Sequence, residues 1–116
     1  MSYEGSCHCG EVKFEVAGPP PTKANSCNCS HCSRKGFLLT FAPATDVTIT
    51  SGEETLKTYT FNKHKLKHRF CRTCGVQPLA EGSGPDGTEM RAVNLRCVPS
   101  IDLDSLEINR IDGAAF

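Results

Sequence analysis

Apolar and polar residues alternate along much of this chain with the two-residue period of a β-strand that is buried on one face. In residues 11–16 the alternation is complete, with Val12, Phe14 and Val16 on one face and charged side chains on the other. Alternating or short apolar runs also occupy residues 37–41, 46–50, 56–61, 64–70 and 91–97. Turn-forming residues separate several of these runs. The pattern therefore predicts a mainly β fold of short antiparallel strands.

Only two segments carry helical signals. Residues 29–36 predict one or two helical turns, and Gly36 suits the left-handed cap that ends many helices. Residues 101–106 predict a short helical turn before a last strand over residues 107–111. The glycine-rich residues 81–88 predict a loop. Because neither an internal repeat nor an interdomain linker is apparent, residues 1–116 are expected to form a single domain.

The apolar content is low for a chain of 116 residues. Leu, Ile, Val and Phe together make up about a fifth of it, close to the limit below which packed cores are hard to build. Small domains with a thin core commonly gain stability from disulfides or from a structural metal. The eight cysteines are the residues that can supply either.

The same composition argues against several classes of protein. No apolar run approaches the ~20 residues that are needed to cross a bilayer. The N-terminal residues lack the basic and apolar regions of a signal peptide, so a cytoplasmic location is expected. The 13 basic and 13 acidic side chains leave no net charge, which argues against a nucleic-acid partner. Since disulfides rarely persist in a reducing cytosol, we interpret the cysteines as metal ligands.

Four of the cysteines form two close pairs, Cys7 with Cys9 and Cys71 with Cys74. A tight turn between Cys71 and Cys74 brings two sulfurs within reach of one ion, and Gly75 suits the left-handed exit of that turn. Two such pairs supply the four thiolates of a closed tetrahedral zinc site, which would join the N-terminal segment to the middle of the chain. Structural zinc can contribute ~10 kcal/mol or more to folding, which would compensate for the thin core.

Three further thiols, Cys27, Cys29 and Cys32, lie close together in the sequence. Three protein ligands and one open position are typical of catalytic zinc, whereas structural sites are filled. Cys97 or His31 could instead supply a fourth ligand and make a second structural site, and an iron–sulfur cluster could use a similar spacing. Cys97, however, lies on the apolar face of its predicted strand, which favours a buried structural thiol.

An open site with three thiolates suggests thiol activation. Three thiolates leave a divalent ion with a net negative charge, so the ion is a weak Lewis acid. It is better suited to hold an incoming fourth thiol as a thiolate, because metal coordination deprotonates thiols. The electron-rich, zinc-bound sulfur would then attack a small electrophile such as an aldehyde.

Motifs along the whole chain, in the same order, resemble those of the glutathione-dependent formaldehyde-activating enzyme (GFA) family, which also includes centromere protein V. They are GSCHCG at 5–10, CNCSHCSRKG at 27–36, FCRTCGV at 70–76, VNLRC at 93–97, DLDSL at 102–106 and DG at 112–113. The resemblance implies a β-tent fold, in which short antiparallel strands gather around a structural zinc.

The resemblance also implies ligand sets and a reaction. The positions that hold a structural zinc in the family match Cys7, Cys9, Cys71 and Cys74. The positions that hold a catalytic zinc match Cys27, Cys29 and Cys32, whereas the position of Cys97 is not a ligand. The name-giving enzymes add glutathione to formaldehyde to form S-(hydroxymethyl)glutathione, a carbon–sulfur lyase reaction written in reverse. The expected cofactors are two Zn2+ ions per chain, and the expected partners are a small-molecule thiol and an aldehyde.

Several residues near the motifs are further candidates. Residues 63–69 are the only basic cluster and are either a solvated strand face or a patch that steers an anionic thiol such as glutathione. His8 and His31 are interpreted as exposed or supporting residues, although either could transfer the thiol proton. Gln77 stands where compact relatives often have histidine, so proton transfer is not assigned to it. The candidates for binding a carboxylate are Arg34, Arg91 and Arg96.

From these observations we predict a zinc-dependent, carbon–sulfur lyase-type enzyme that joins glutathione or a similar thiol to formaldehyde or another small aldehyde. The alternative is a non-catalytic zinc-binding interaction module of the same fold, with two structural zinc sites. Metal stoichiometry combined with glutathione competition distinguishes the two, because only an enzyme should bind a thiol at one of its zinc ions.

Overall fold

The computed structural model describes residues 1–61 and 66–113. Within these ranges the chain forms ten short strands and one short helix. The strands are β1 (Ser2–Ser6), β2 (Lys13–Ala17), β3 (Lys23–Cys27), β4 (Leu39–Pro43), β5 (Val47–Ser51), β6 (Leu56–Tyr59), β7 (Lys67–Cys71), β8 (Leu79–Ser83), β9 (Glu89–Asn94) and β10 (Glu107–Ile111). The helix, α1, covers Ser30–Lys35, and 3-10 turns cover Ala44–Asp46, Glu53–Thr55, Leu95–Cys97 and Leu103–Ser105. The predicted mainly β fold is confirmed.

The strands form two sheets. The smaller sheet is antiparallel and has the strand order β1-β2-β5. The larger sheet has seven strands in the order β10-β3-β4-β9-β8-β7-β6, and all its neighbours are antiparallel except β10 and β3. The parallel pairing sets Ile111 opposite Cys27, so the end of β10 reaches one of the cysteine groups.

The main core cluster draws side chains from both sheets. Phe14 of β2 is buried together with Val93 of β9 and with Leu95 and Cys97 of the turn that follows. Strand β1 approaches this cluster so closely that a Cβ atom on Gly5 would lie 2.7 Å from the carbonyl oxygen of Cys97. Only glycine fits at that position. Cys97 is buried, as its place on an apolar face predicts.

Helix α1 begins and ends where the sequence predicts. Cys29 is the N-cap residue, and its Sγ atom accepts a hydrogen bond from the backbone N–H of Cys32 at 3.2 Å. Gly36 follows the helix with a φ of 70°, and its N–H donates to the carbonyl oxygen of Cys32. Glycine adopts this left-handed conformation without steric cost. No helix within the described ranges is long and apolar enough to span a membrane.

Three strands were not predicted by the hydrophobic pattern. β1 and β3 have the sequences SYEGS and KANSC, which lack an alternating set of large apolar residues. β8 runs into residues 81–83, where composition predicts a loop, and pairs with β7 on one side and β9 on the other. Partner strands satisfy the backbone hydrogen bonds of these segments. Sheet pairing therefore forms strands that apolar content alone does not indicate.

Two other predicted strands have different limits in the structure. β9 ends at Asn94, whose side chain accepts a hydrogen bond from the N–H of Arg96 at 3.1 Å and starts a 3-10 turn. The prediction of strand for residues 95–97 was therefore wrong, although Leu95 and Cys97 are buried as expected. The strand predicted over 64–70 corresponds to β7, and its first two residues lie outside the described ranges, as do 63–65 of the basic cluster.

Candidate metal centres

Four cysteines from two distant parts of the chain come together in what we call the four-thiol cluster. Its sulfur atoms all lie within 4.8 Å of one another and belong to Cys7, Cys9, Cys71 and Cys74. The Sγ–Sγ distance is 3.6 Å between Cys7 and Cys9 and 3.7 Å between Cys9 and Cys71. Zinc–sulfur bonds of about 2.3 Å place the ligands of a tetrahedral site about 3.8 Å apart. The sulfur positions therefore fit one tetrahedral ion.

Backbone N–H groups face the sulfurs of the four-thiol cluster. The N–H of Val12 donates to Sγ of Cys7, and the N–H of Thr73 donates to Sγ of Cys71, each at 3.4 Å. Gly75, at a φ of 80°, closes the turn by donating its N–H to the carbonyl oxygen of Cys71. The turn predicted after Cys71 is confirmed, and the two donors fix the positions of the sulfurs that they contact.

The thiols of the four-thiol cluster differ in acidity because hydrogen bonds between them favour the thiolate form of one sulfur and the protonated form of another. At Cys74, desolvation opposes ionisation, but backbone hydrogen bonds from Cys9 and Val76 and the neighbouring thiols lower the pKa to about 6. At Cys9, a backbone hydrogen bond from Glu11 lowers the pKa, but desolvation and the neighbouring thiols raise it overall to about 12. A divalent cation would remove this conflict, because it stabilises the thiolate form of every ligand.

The second group, which we call the three-thiol cluster, is built within one short segment. Cys27 ends β3, Cys29 caps α1, and Cys32 lies in the first turn of α1. Their three Sγ atoms lie within 4.8 Å of one another, and all three residues are half-buried. The N–H of Cys29 donates to Sγ of Cys27 at 3.5 Å. Within the described ranges, no His, Asp or Glu side chain joins these sulfurs at the same distance.

Acidity also differs within the three-thiol cluster. Burial raises the pKa of Cys32, and the neighbouring thiols raise it further. Desolvation also opposes ionisation of Cys29, but hydrogen bonds to its sulfur, including the one from the backbone N–H of Cys32, lower its pKa. Among the residues that the structure describes, sulfur is the only donor type in either cluster, and such sites select thiophilic ions such as Zn2+. Both donor sets therefore fit zinc.

Glycine at the C-terminal end of β10 leaves room for the three-thiol cluster. The N–H of Asn28 donates to the carbonyl oxygen of Ile111 at 3.1 Å, and the Asn28 side chain donates to Asp112 at 3.0 Å. These bonds hold Gly113 so close that a Cβ atom on it would lie 2.3 Å from Sγ of Cys27. Any other residue would displace the sulfur or the strand end. The sequence carried this signal only as the Asp-Gly pair shared with the GFA motifs.

An open groove of about 450 Å³ lies beside the three-thiol cluster. Cys27 and Cys32 form part of its lining, together with Arg96, Arg110 and Asp112. The groove gives a small molecule a route to two of the three sulfurs. A larger groove of about 770 Å³ crosses β3, β4 and β10, but none of the cysteines lines it. We therefore take the smaller groove as the candidate functional site.

The three arginines proposed from the sequence occupy different places. Arg34 donates to the carbonyl oxygen of Ser30 within α1, and Arg91 forms an ion pair with Glu89 at 3.7 Å. Only Arg96 lines the groove. Arg110 was not predicted, because its position beside the cysteines depends on the parallel pairing of β10 with β3.

His31 packs against the larger sheet rather than among the three sulfurs. Its ring centroid lies 4.0 Å from that of His68 and 5.2 Å from that of Phe61, and Tyr59 stacks at 5.8 Å. Burial lowers the pKa of His68 to about 4, and the nearby charges of His31 and Lys35 lower it in the same direction. The two histidines thus hold α1 to β6 and β7. His31 is not within ligand distance of all three sulfurs.

Three other residues singled out in the sequence also lie apart from the three-thiol cluster. The Sγ atom of Cys97 is 4.0 Å from the carbonyl oxygen of Gln77, and burial raises its pKa to about 11. Gln77 is itself buried, with its side-chain nitrogen 3.2 Å from Nδ1 of His68. His8 is exposed beside the four-thiol cluster. In the described ranges, neither thiol group includes Cys97 or a histidine.

Comparison with known proteins agrees with this geometry. The family model for glutathione-dependent formaldehyde-activating enzyme matches residues 2–104. A Halomonas elongata protein, provisionally named as such an enzyme, is 33% identical over an alignment 82 residues long, and the match covers 64% of this chain and 52% of that protein. The match thus spans about half the length of that relative.

A crystal structure of a Rhodobacter sphaeroides protein is also similar, at 30% sequence identity and a TM-score of 0.78. The alignment covers 91% of this chain and 99% of that one. The resemblance seen in the cysteine motifs is therefore confirmed over most of the length, and this chain belongs to the glutathione-dependent formaldehyde-activating enzyme family.

Proposed function

We propose that this chain is a zinc-dependent, carbon–sulfur lyase-type enzyme that joins glutathione or a similar thiol to formaldehyde or another small aldehyde. One observation carries the proposal: three sulfurs within 4.8 Å of one another lie beside a groove open to small molecules. Membership of the GFA family supports the same chemistry. The reaction would take place in the cytosol, where free thiols are abundant and the cysteines stay reduced.

The two thiol clusters have different roles in this proposal. The structural zinc is assigned to Cys7, Cys9, Cys71 and Cys74. The catalytic zinc is assigned to Cys27, Cys29 and Cys32, with one position left for the substrate sulfur. When bound there, zinc supplies the positive charge that favours the thiolate form of the incoming thiol.

Several residues of this chain shape the surroundings of the position left for the substrate sulfur. The N–H groups of Cys29 and Cys32 hydrogen-bond to the sulfurs of Cys27 and Cys29 and hold the ligand set in place. Gly113 keeps the side of the cluster that faces β10 free of a side chain. In the reaction a carbon–sulfur bond forms as the carbonyl π bond breaks, and the proton lost by the thiol returns to the resulting oxygen. His31 packs against β6 and β7, so water in the open groove is the simplest source of that proton.

The test is to measure bound metal and thiol together. Protein reconstituted with Co2+ should hold two ions, and glutathione should change the absorption of one of them. The same preparation with zinc should form S-(hydroxymethyl)glutathione from glutathione and formaldehyde faster than the uncatalysed reaction does. Two bound ions whose spectra glutathione leaves unchanged, with no rate above the uncatalysed reaction, would favour the non-catalytic zinc module.

A further inference from the structure

Two guanidinium groups border the groove beside the three-thiol cluster. Arg96 lies in the 3-10 turn after β9, and Arg110 lies in β10. Across the described residues, the ion pairs are Lys23 with Glu107, Arg69 with Glu81 and Arg91 with Glu89. Neither groove arginine belongs to this set. Both therefore bring positive charge to the groove without a carboxylate from the described part of the protein.

The fold positions both arginines along the groove. The Nε atom of Arg96 donates to the carbonyl oxygen of Gly36 at 2.6 Å, which fixes the side chain and leaves its terminal nitrogens for a ligand. Arg110 lies opposite Ser26 in the parallel pair of β10 and β3, one residue before the level of Cys27. The positive charges of Arg96 and Arg110 therefore border the same groove as Cys27 and Cys32.

Of the described residues, one carboxylate also borders the groove. Asp112 directly follows β10 and accepts a hydrogen bond from the Asn28 side chain at 3.0 Å. Among the described residues, Asp112 and the two arginines are the charged side chains of the lining. A zinc ion held by three thiolates would add a negative charge, so the two guanidinium groups are the part of the lining that can attract an anionic ligand. The planar fork of an arginine matches both oxygens of a carboxylate.

We propose that Arg96 and Arg110 bind a carboxylate of the substrate thiol and make the site selective for anionic thiols. The proposal rests on the function proposed above, in which the groove admits the thiol. It adds two specificity-determining residues, which bind a carboxylate of the thiol at a distance from its reacting sulfur. Hydrogen bonds between charged groups make a difference of about tenfold or more in affinity, so that is the selectivity expected of the pair.

The first experiment compares two thiols of nearly equal size. The affinities of 3-mercaptopropionate and of its uncharged amide, 3-mercaptopropionamide, are measured by the spectral change of the Co2+-loaded protein. The wild type should bind the carboxylate at least about tenfold more tightly. Arg110→Gln and Arg96→Gln should each reduce that preference, and the double variant should abolish it. The matched control is Arg72→Gln, an exposed arginine beside the four-thiol cluster, which should leave the preference unchanged.

The second experiment tests the charge of the groove without requiring catalysis. Protein with zinc retained only in the four-thiol cluster is alkylated with iodoacetate or with iodoacetamide, and labelling of Cys27 and Cys32 is followed by mass spectrometry. A change in thiol acidity alters both rates alike, so the ratio of the two rates isolates attraction of the carboxylate. The iodoacetate-to-iodoacetamide ratio should be severalfold lower in Arg96→Gln and Arg110→Gln than in the wild type.

The two experiments separate the two proposals. If no thiol binds to the Co2+-loaded protein but the alkylation ratio falls in both variants, the enzymatic function and the selectivity among thiols fail, whereas the attraction of a carboxylate by Arg96 and Arg110 stands. If thiols bind but neither the preference nor the alkylation ratio changes in the variants, the pair is overturned and the enzymatic function stands.

Discussion

The two thiol clusters use the same donor atom in different settings. The four-thiol cluster joins the segment after β1 to the end of β7, and two of its residues, Cys7 and Cys71, are buried. The three-thiol cluster comes from one short stretch at the start of α1, and all its residues are half-buried next to a groove. The four-thiol cluster closes a long loop of the chain, and the three-thiol cluster borders an open groove.

The difference predicts that the two clusters contribute differently to stability and to the proposed chemistry. An ion held by the four-thiol cluster would restrain about 60 residues of intervening chain, so its binding energy would oppose unfolding. An ion held by the three-thiol cluster would close only a few residues that the end of β3 and α1 already order. Its loss should therefore affect the reaction much more than the fold.

The largest expected effect comes from breaking the four-thiol cluster. Cys71→Ser removes a buried ligand and should lower the free energy of unfolding by about 5 kcal/mol or more. Because domains of this size are stable by about 5–15 kcal/mol, the variant should be largely unfolded. Circular dichroism and metal content measure this result. A Cys71→Ser protein that melts like the wild type would contradict the structural role.

Cys29→Ser tests the other half of the comparison. Serine is itself a good N-cap residue, so α1 should persist and the protein should stay folded with one ion instead of two. The rate of product formation should fall by about a thousandfold, because a ligand of the proposed catalytic zinc is lost. Cys97→Ser, a thiol in neither cluster, is the control and should keep two ions and the activity. If Cys29→Ser unfolds as Cys71→Ser does, the second site is structural.

The next largest effect is a dependence of stability on pH through His68, which anchors the helix of the three-thiol cluster. Burial lowers the pKa of His68 to about 4 from an ordinary value of 6.5. The unfolded chain therefore binds a proton more readily than the folded one between these values. The free energy of unfolding is therefore unaffected by His68 above pH 6.5. As the pH falls from 6.5 towards 4, protonation of His68 in the unfolded chain lowers the free energy of unfolding by up to about 3 kcal/mol.

Urea unfolding at a series of pH values measures this effect. His68→Asn should flatten the dependence between pH 6.5 and 4, because asparagine does not titrate. Loss of metal at low pH affects the variant and the wild type alike, so the difference between their slopes isolates the histidine. Equal slopes in the two proteins would contradict the prediction.

The smallest expected effect comes from a substitution at Gly113, which lies beside the three-thiol cluster. Gly113→Ala would place a methyl group 2.3 Å from Sγ of Cys27 and should weaken binding of the second ion by about a hundredfold. The ion in the four-thiol cluster should stay. Gly84→Ala is the matched control. The Cβ atom that it adds would lie 3.5 Å from Oδ1 of Asp86, which is an ordinary van der Waals distance. Competition with a chromophoric chelator measures the affinity for the second ion in both variants. Unchanged affinity in Gly113→Ala would contradict the prediction and show that the backbone after β10 moves to accommodate the methyl group.

Prediction from sequence succeeded where one face of a segment is buried in the core. β2 was predicted because Phe14 and Val16 pack into the core while charged residues face outward. β3 was missed because Ala24 is its only buried residue, and its backbone is ordered by β4 on one side and β10 on the other. The alternation of apolar and polar residues indicates which side chains are buried, but it does not indicate which backbones pair.

The candidate site was predicted in part. The grouping of all seven cluster cysteines follows from spacing and from the family resemblance, and the structure brings each group within ligand distance. Arg110 and Gly113 were not assigned roles, because each acts on a residue more than 80 positions away in the sequence. His31 adjoins Cys32 in sequence, but the turn of the helix directs it to β6 and β7.

The sequence by itself determined the mainly β class, the start and end of α1, and the closeness of Cys27, Cys29 and Cys32. These features depend on side-chain period and on backbone geometry within a turn, which a few neighbouring residues settle. Only the tertiary structure decided that Cys7 and Cys9 meet Cys71 and Cys74, and that β10 runs parallel to β3. Contacts across such distances depend on which strands pair and how the core packs, and local sequence does not specify either.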